Sequence, residues 1–236
     1  LYQCLPARVK FLDWTRAYEI IAEKIPASFI NHIWFLQNIG KGEKIISDKL
    51  KRAMDILLAG FIFIITLPVW LLVGILIKLE DGGNVIYTQE RVGKDRKYFL
   101  LFKFRSMKPD AEKATGPLWA EIKDERATKI GKLLRRLHID ELPQMINVLK
   151  GDISLVGPRP ERPEFVEQLE KEIPHYNLRH IIKPGFTGWA QIKFRYGRSL
   201  MDAQEKFQYD LYYLKNGSLF LDFGILLKTF QLFFKS

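Results

Sequence analysis

An uninterrupted apolar segment constrains the fold of this chain more than any other feature. Residues 56–77 contain no charged side chain, while Lys51 and Arg52 precede them and Lys78 follows. A straight helix of that length would rise about 33 Å, enough to cross a hydrocarbon layer of roughly 30 Å. The sequence therefore predicts a membrane segment at residues 56–77, and a spanning helix is the default arrangement.

A proline near the middle of this segment indicates a second arrangement. Pro68 removes a backbone hydrogen bond and is expected to kink the helix. Basic residues flank the segment on both sides, and Lys and Arg are enriched on the cytoplasmic side of membrane segments. A re-entrant hairpin, which enters the bilayer and returns to the same face, is thus the alternative to a spanning helix.

The overall charge indicates anionic partners without choosing among them. The chain has 37 Lys+Arg against 27 Asp+Glu, a net charge of +10, which suits a nucleic acid, an anionic bilayer surface or phosphorylated substrates. The single cysteine, Cys4, excludes an internal disulfide. Residues 1–50 differ in pattern from residues 51–236, and we expect them to be the end of an upstream domain or linker of a longer protein.

The remaining patterns predict an α+β, mainly helical fold. Residues 85–90 and 98–104 have the composition of two strands joined by a turn, which predicts a small β-hairpin. The tail from 219 to 234 is apolar but interrupted by charges, so it fits an amphipathic helix at a membrane interface, or a helix packed on a core. Three further helices are predicted near residues 128–138, 140–149 and 162–173.

An adjacent pair of carboxylates is the candidate site. Asp140 and Glu141 follow a basic helix that contains Arg135, and they precede the turn Gly157-Pro-Arg159-Pro. One carboxylate could attack phosphorus while its neighbour helps to place a divalent cation. Prolines on both sides of Arg159 stiffen its backbone, which suits phosphate recognition by a guanidinium. The alternative is a solvated helix start beside a solvated arginine.

Several motifs, in order, give the chain a family resemblance from Lys51 to its end. It resembles the bacterial sugar transferases known as monotopic polyprenyl-phosphate phosphoglycosyl transferases. Members of that family usually carry Ser-Pro at the break of the membrane helix, where this chain has Leu67-Pro68 preceded by Thr66. The matching motifs are Lys51-Arg52-Ala-Met-Asp55, Gln89-Glu-Arg-Val-Gly93, Lys103-Phe-Arg-Ser-Met107, Asp140-Glu-Leu-Pro-Gln144, Asn147-Val-Leu-Lys-Gly-Asp152, Ser154-Leu-Val-Gly-Pro-Arg-Pro160, Pro184-Gly-Phe-Thr-Gly-Trp189 and Tyr209-Asp-Leu-Tyr-Tyr213.

The resemblance implies a catalytic domain at residues 51–236 that transfers a sugar 1-phosphate from a UDP-sugar to polyprenyl phosphate and releases UMP. It implies a re-entrant membrane hairpin and interfacial helices around an active site on the cytoplasmic face of the bacterial inner membrane. Asp140 would be the covalent nucleophile, Glu141 would assist it as the second catalytic residue, and both would hold Mg2+. The residues expected to bind substrate phosphates are Arg159, Arg135, Arg105 and Arg195.

The resemblance also bears on partners. It implies a lipid bilayer and the two substrates, no nucleic acid, and it allows a homodimer. Longer members of the family favour donors such as UDP-glucose or UDP-galactose. Two non-catalytic alternatives stay open: a membrane-anchored module that binds polyanions, and a scaffold for polysaccharide assembly. Neither would release UMP from a UDP-sugar, so that measurement separates them from the enzyme.

Overall fold

The computed structural model describes residues 13–30, 34, 38, 44–108, 111, 126–194, 197 and 199–233. Within these ranges the fold is mainly helical, with one antiparallel and one parallel pair of strands. The helices and strands are α1 (Trp14–Ala22), α2 (Lys44–Asp81), β1 (Ile86–Val92), β2 (Tyr98–Phe104), α3 (Lys129–Arg136), α4 (Gln144–Lys150), β3 (Ser154–Val156), α5 (Pro163–Glu172), β4 (Gly185–Thr187), α6 (Trp189–Lys193), α7 (Leu200–Asn216) and α8 (Leu219–Phe233).

The predicted β-hairpin is confirmed. Strands β1 and β2 pair antiparallel, in a register that places Ile86 opposite Phe104 and Val92 opposite Tyr98. Successive strand residues point to opposite faces, so Leu101 and Phe104 enter different apolar clusters. Leu101 packs near Met145 of α4, whereas Phe104 packs against the long helix α2. The hairpin is therefore held between two helices.

The predicted membrane segment lies inside one long helix, α2. In the described part of the chain, α2 supplies the one stretch that is long and apolar enough to cross a membrane, Asp48–Asp81. Its apolar side chains are largely exposed on one face, including Leu57, Ile64 and Leu71 at 72%, 67% and 71%. Exposed apolar surface of this extent is typical of contact with lipid or with another protein.

The opposite face of α2 contacts the globular body at both ends of the apolar stretch. Near the first end, Lys51 Nζ lies 2.5 Å from an oxygen of Asp222 in α8. Near the second end, Asp81 forms an ion pair with Arg105, and Glu80 Oε1 accepts a hydrogen bond of 2.8 Å from the backbone nitrogen of Lys129. The two ends of the helix are thus tied to the same body.

Helix α2 continues through Pro68. A proline has no amide hydrogen to donate to the carbonyl four residues earlier, which here belongs to Ile64. The hydroxyl of Thr66 donates instead to the carbonyl of Ile62 at 2.7 Å and accepts from Trp70 Nε1 at 3.2 Å. The hydroxyl of Thr66 therefore links the turns before and after it within α2. The re-entrant path stays a prediction.

The core joins the helices that surround the hairpin. One apolar cluster contains Phe207 and Leu211 of α7 with Leu169 of α5, and Ile25 from the N-terminal region packs into it. Burying a large apolar side chain stabilises a fold by about 1.5–3 kcal/mol. The described N-terminal residues thus pack against the rest of the chain through Ile25. That residues 1–50 are the end of an upstream domain or linker stays a prediction.

Candidate active site

The adjacent carboxylates lie in a tight turn between α3 and α4. Helix α3 ends at Arg136. His138 has a left-handed backbone (φ 55°) and precedes one turn of 3-10 helix at residues Ile139–Glu141. Helix α4 then begins at Gln144, not near residue 140 as the sequence pattern predicted. The reason is the proline at 143, which cannot donate a backbone hydrogen bond and lies at the N-cap of α4. Asp140 becomes 7% exposed in this turn.

Two cations hold Glu141. Lys103 Nζ lies 2.8 Å and Arg159 Nη2 2.5 Å from Glu141 Oε1. Burial by itself raises the pKa of this carboxyl, but Arg159 and then Lys103 outweigh it and hold the pKa of Glu141 well below its usual range. Glu141 is therefore ionised at neutral pH and fixed between the two cations.

Asp140 lies in a different environment. The ion pairs of Lys103 and Arg159 are formed with Glu141, not with Asp140. Burial raises the pKa of Asp140, and the neighbouring charge of Glu141 raises it too, whereas Lys103, Arg135 and His138 act in the opposite direction. A carboxylate with a raised pKa is a stronger base and a better nucleophile than one whose pKa is lowered by two ion pairs. The two acids are thus suited to different roles.

Lys103 reaches the site because of the strand alternation. It lies on the same face of β2 as Leu101, the face turned toward α4. Asn147 of α4 fixes this approach, since its side chain accepts from the backbone nitrogen of Phe102 at 3.0 Å and donates to the carbonyl of Leu100 at 2.7 Å. The sequence prediction assigned no role to Lys103, although it belongs to the motif of residues 103–107.

Arg159 projects from a turn built by two glycine-containing segments. Strands β3 and β4 pair in parallel, with Val156 opposite Thr187. The backbone nitrogen of Gly157 donates to the carbonyl of Thr187 at 2.9 Å, and that of Gly185 donates to the carbonyl of Pro158 at 2.8 Å. A Cβ on Gly185 would lie 2.0 Å from the nitrogen of Gly157, so only glycine allows this close approach.

Two arginines, of which Arg179 is buried, donate hydrogen bonds to the backbone of this turn. Arg179 Nη2 donates to the carbonyl of Arg159 at 2.8 Å, and Arg91 Nη1 donates to the carbonyl of Pro160 at 3.0 Å. Arg179 is itself fixed by an ion pair of 2.9 Å with Asp210, and both side chains are nearly inaccessible, at 6% and 4% exposure. Arg91 belongs to the motif of residues 89–93, whereas no sequence signal identified Arg179.

The other predicted phosphate ligands differ in their placement. The charge of Arg135 acts on Asp140 and lowers its pKa, which places this arginine in the electrostatic surroundings of the site. The guanidinium of Arg105 is paired with Asp81 at the end of α2. Arg195 lies outside the described residues. The structure thus brings Glu141, Arg159 and the unassigned Lys103 into direct contact, and the substrate roles stay predictions.

The carboxylate pair fits Mg2+ only together with a substrate. Among the residues that the structure describes, no group of three or more acidic, histidine or cysteine side chains could hold a metal ion. Mg2+ is commonly bound by one or two carboxylates, with substrate phosphates and water completing its shell. Asp140 and Glu141 could supply the protein ligands of such an ion, so Mg2+ stays a prediction.

Comparison with known proteins identifies the class. The sequence model of the family described as bacterial sugar transferase matches residues 46–236. That range includes the carboxylate turn, the Arg159 turn and nearly all of the long helix. The chain belongs to the bacterial sugar transferase family.

Individual relatives agree over the same region. A UDP-N-acetylgalactosamine-undecaprenyl-phosphate N-acetylgalactosaminephosphotransferase of Aeromonas hydrophila is 48% identical over 182 residues, 77% of this chain and 43% of that protein. A UDP-glucose:undecaprenyl-phosphate glucose-1-phosphate transferase of Escherichia coli is 43% identical over 186 residues, 78% of this chain and 40% of that protein. An uncharacterized sugar transferase of Bacillus subtilis is 42% identical over 181 residues, 76% of this chain and 85% of that protein. This chain therefore matches less than half the length of the first two relatives and most of the third.

Proposed function

We propose that this chain transfers a sugar 1-phosphate from a UDP-sugar to polyprenyl phosphate and releases UMP. The observation that carries the proposal is the asymmetric carboxylate pair, in which Glu141 is held by Lys103 and Arg159 while Asp140 is buried beside it. Two relatives named as undecaprenyl-phosphate sugar phosphotransferases support the reaction class. The product would be the first membrane-linked sugar of a surface glycan or exopolysaccharide.

In the first step, an oxygen of Asp140 attacks the phosphorus atom that carries the sugar. A bond forms between that oxygen and phosphorus, the anhydride bond to the second phosphate breaks, and UMP leaves with the electron pair. Arg159 and Lys103 stabilise the negative charge on the phosphate oxygens, because hydrogen bonds between charged partners are stronger than those between neutral ones. Glu141 keeps both cations in place before the donor binds.

In the second step, an oxygen of polyprenyl phosphate attacks the same phosphorus atom. The bond between phosphorus and Asp140 breaks, so the carboxylate is regenerated and the sugar is left on a lipid diphosphate. Two successive displacements let one site receive a soluble donor and then a lipid acceptor. Mg2+ held by Asp140 and Glu141 with the substrate phosphates would supply further neutralisation of charge.

The membrane arrangement in this proposal is a re-entrant hairpin with the active site on the cytoplasmic face of the bacterial inner membrane. The contacts of Lys51 and Asp81 with one globular body support it, since a spanning helix would place these residues on opposite sides of the bilayer. The exposed apolar face of α2 is the surface that would contact lipid.

A panel of UDP-sugars tests the function. The named relatives include one with an N-acetylgalactosamine donor and one with a glucose donor, so the panel contains both, with UDP-galactose. We expect UMP to appear with at least one donor, and the lipid product to form only when polyprenyl phosphate is added. A polyanion-binding module or a scaffold would release no UMP from any donor.

The pH dependence of the first step tests the environment of Asp140. Asp140 must be ionised to attack. Because burial raises its pKa, the rate of UMP release should begin to fall on acidification at a higher pH than it would for an ordinary aspartate. Arg135 lowers that pKa, so Arg135→Gln should raise it and move the acid limb to higher pH. The measurement is UMP release without acceptor across acidic and neutral pH. An unmoved acid limb would remove Arg135 from the electrostatic surroundings of the nucleophile.

Thiol labelling tests the membrane path. Cysteines placed at Lys49 and Asn84, with Cys4 replaced, should both react with an impermeant reagent added from the cytoplasmic side. Lys49 precedes the apolar stretch of α2 and Asn84 follows the helix, so a re-entrant hairpin would place both positions on the same face of the bilayer. If the reagent reaches one position from the cytoplasm and the other only from the opposite side, α2 spans the bilayer.

A further inference from the structure

A cavity lined by four basic side chains lies where the long helix leaves the globular body. It has a volume of about 230 Å3 and is bounded by the first turns of α2, by β3, and by the corner between α7 and α8. None of the four residues Asp140, Glu141, Lys103 and Arg159 lines it. The cavity is therefore separate from the proposed catalytic site.

Among the described residues, four cations and three carboxylates line this cavity. Lys51 is paired with Asp222 at 2.5 Å, and Asp55 accepts a hydrogen bond of 3.0 Å from the backbone nitrogen of Leu155. Three other cations line the cavity, and within the described ranges none of them forms an ion pair with a carboxylate; Asp48 is the only other acid in the lining. These cations are Arg52, Lys94 and Lys183.

Two of the cations converge on one point. A Cβ on Gly151, which has a left-handed backbone (φ 91°), would lie 3.3 Å from Arg52 Nη2 and 3.4 Å from Lys183 Nζ. Arg52 is fixed there by donating to the carbonyls of Val148 at 2.6 Å and Leu149 at 2.7 Å. Burial and then the charge of Arg52 lower the pKa of Lys183. An anion bound between the two cations would relieve their repulsion.

Apolar surface surrounds this basic cavity. Leu219, which lines it, is followed by Phe220, whose side chain is 90% exposed, and Phe223 in the next turn is 57% exposed. On α2, Leu57 lies beyond the cavity and is 72% exposed. A basic cavity beside exposed apolar side chains matches the chemistry of a lipid with an anionic headgroup, which has both parts.

We infer that this cavity binds the phosphodiester headgroup of an anionic phospholipid. The phosphate would contact Lys183, Arg52 and Lys94, and the acyl chains would lie along the exposed faces of α2 and α8. The site would fix the depth at which α2 enters the bilayer. Lipid binding in this cavity does not depend on the proposed reaction. It requires only that α2 contacts the membrane.

Native mass spectrometry of the full chain in mixed phosphatidylglycerol and phosphatidylcholine tests the inference. The unmodified chain should retain phosphatidylglycerol in preference to phosphatidylcholine. Each basic residue near an anionic surface contributes about fivefold in affinity, so Lys94→Gln with Lys183→Gln should weaken retention by about twentyfold or more. Lys94→Arg with Lys183→Arg keeps both charges and should retain the lipid. Lys171→Gln, at an exposed lysine of α5, should behave like the unmodified chain.

Several outcomes would overturn the assignment. Equal retention by the double Gln variant would show that the cavity does not select the lipid, and equal loss in Lys171→Gln would show general surface charge. Displacement of phosphatidylglycerol by inorganic phosphate would assign the cavity to a free anion, and displacement by an equal amount of polyprenyl phosphate would assign it to the acceptor lipid. UMP release without acceptor should be unchanged in the double Gln variant, so a failure of the proposed function would be recognised separately.

Discussion

Replacing Asp140 by Asn should abolish the covalent sugar-phosphate adduct and reduce turnover on the order of a thousandfold or more, as expected when a nucleophile is removed. Asparagine keeps the shape of the side chain but lacks the charged oxygen that would attack phosphorus. Glu141, Lys103 and Arg159 would still be in contact with one another, because none of their described contacts involves Asp140. The loss would therefore belong to the nucleophile and not to a collapsed site.

Intact-mass spectrometry with UDP-sugar and no acceptor provides the measurement. The unmodified chain should gain the mass of one sugar phosphate, and peptide mapping should locate it on Asp140. Asp95→Asn is a matched control, because Asp95 is exposed in the β-hairpin turn with a left-handed backbone that Asn tolerates. An adduct on Glu141, or normal turnover by the Asp140→Asn variant, would contradict the assignment.

Replacing Arg159 by Lys should reduce kcat/KM by at least about thirtyfold, which corresponds to about 2 kcal/mol in transition-state binding. The guanidinium can donate to two oxygens from a planar fork, whereas an ammonium group provides a point charge on a flexible chain. In the structure this guanidinium already binds Glu141, and its side chain is 41% exposed, so it can reach both the carboxylate and a bound donor. Steady-state kinetics with varied UDP-sugar measures the effect.

Two comparisons give this prediction its specificity. Arg96→Lys changes an exposed arginine that pairs with Glu170 on the surface, and it should leave kcat/KM nearly unchanged. Arg179→Lys should act through the turn that it supports, so combining it with Arg159→Lys should cost less than the sum of the single effects. Near-normal kcat/KM for Arg159→Lys would show that Arg159 does not bind the donor phosphate in the transition state.

The elements that the sequence predicted well depend on near neighbours along the chain. The hairpin strands show the composition and turn residues of their local structure, and β2 was predicted with the bounds that the structure shows, Tyr98–Phe104. The apolar segment identified the long helix because twenty-two uncharged residues between basic flanks fit few other structures. The carboxylate pair and Arg159 were recognised from short motifs, and the Arg159–Glu141 contact brings them together.

The contacts that complete the site join residues far apart in sequence. Lys103 binds Glu141, which lies 38 residues later in the sequence. Arg179 donates a hydrogen bond to the carbonyl of Arg159, which lies 20 residues earlier. The glycine-containing segments around Gly157 and Gly185 are separate motifs in the sequence, but in the structure they pair as one unit. Arg105 forms an ion pair with Asp81 because the end of β2 meets the end of α2, and its binding of a substrate phosphate stays a prediction.

The sequence by itself thus identified the long apolar helix, the hairpin, the family and the candidate residues of the site, because periodicity, charge and motif are properties of adjacent residues. Only the tertiary structure decided which cations bind Glu141 and which arginines bind the backbone of the Arg159 turn. It also decided that both ends of α2 contact the globular body. Those choices depend on how helices and strands pack against one another, and the free energy of that packing comes from contacts between residues that no local pattern connects.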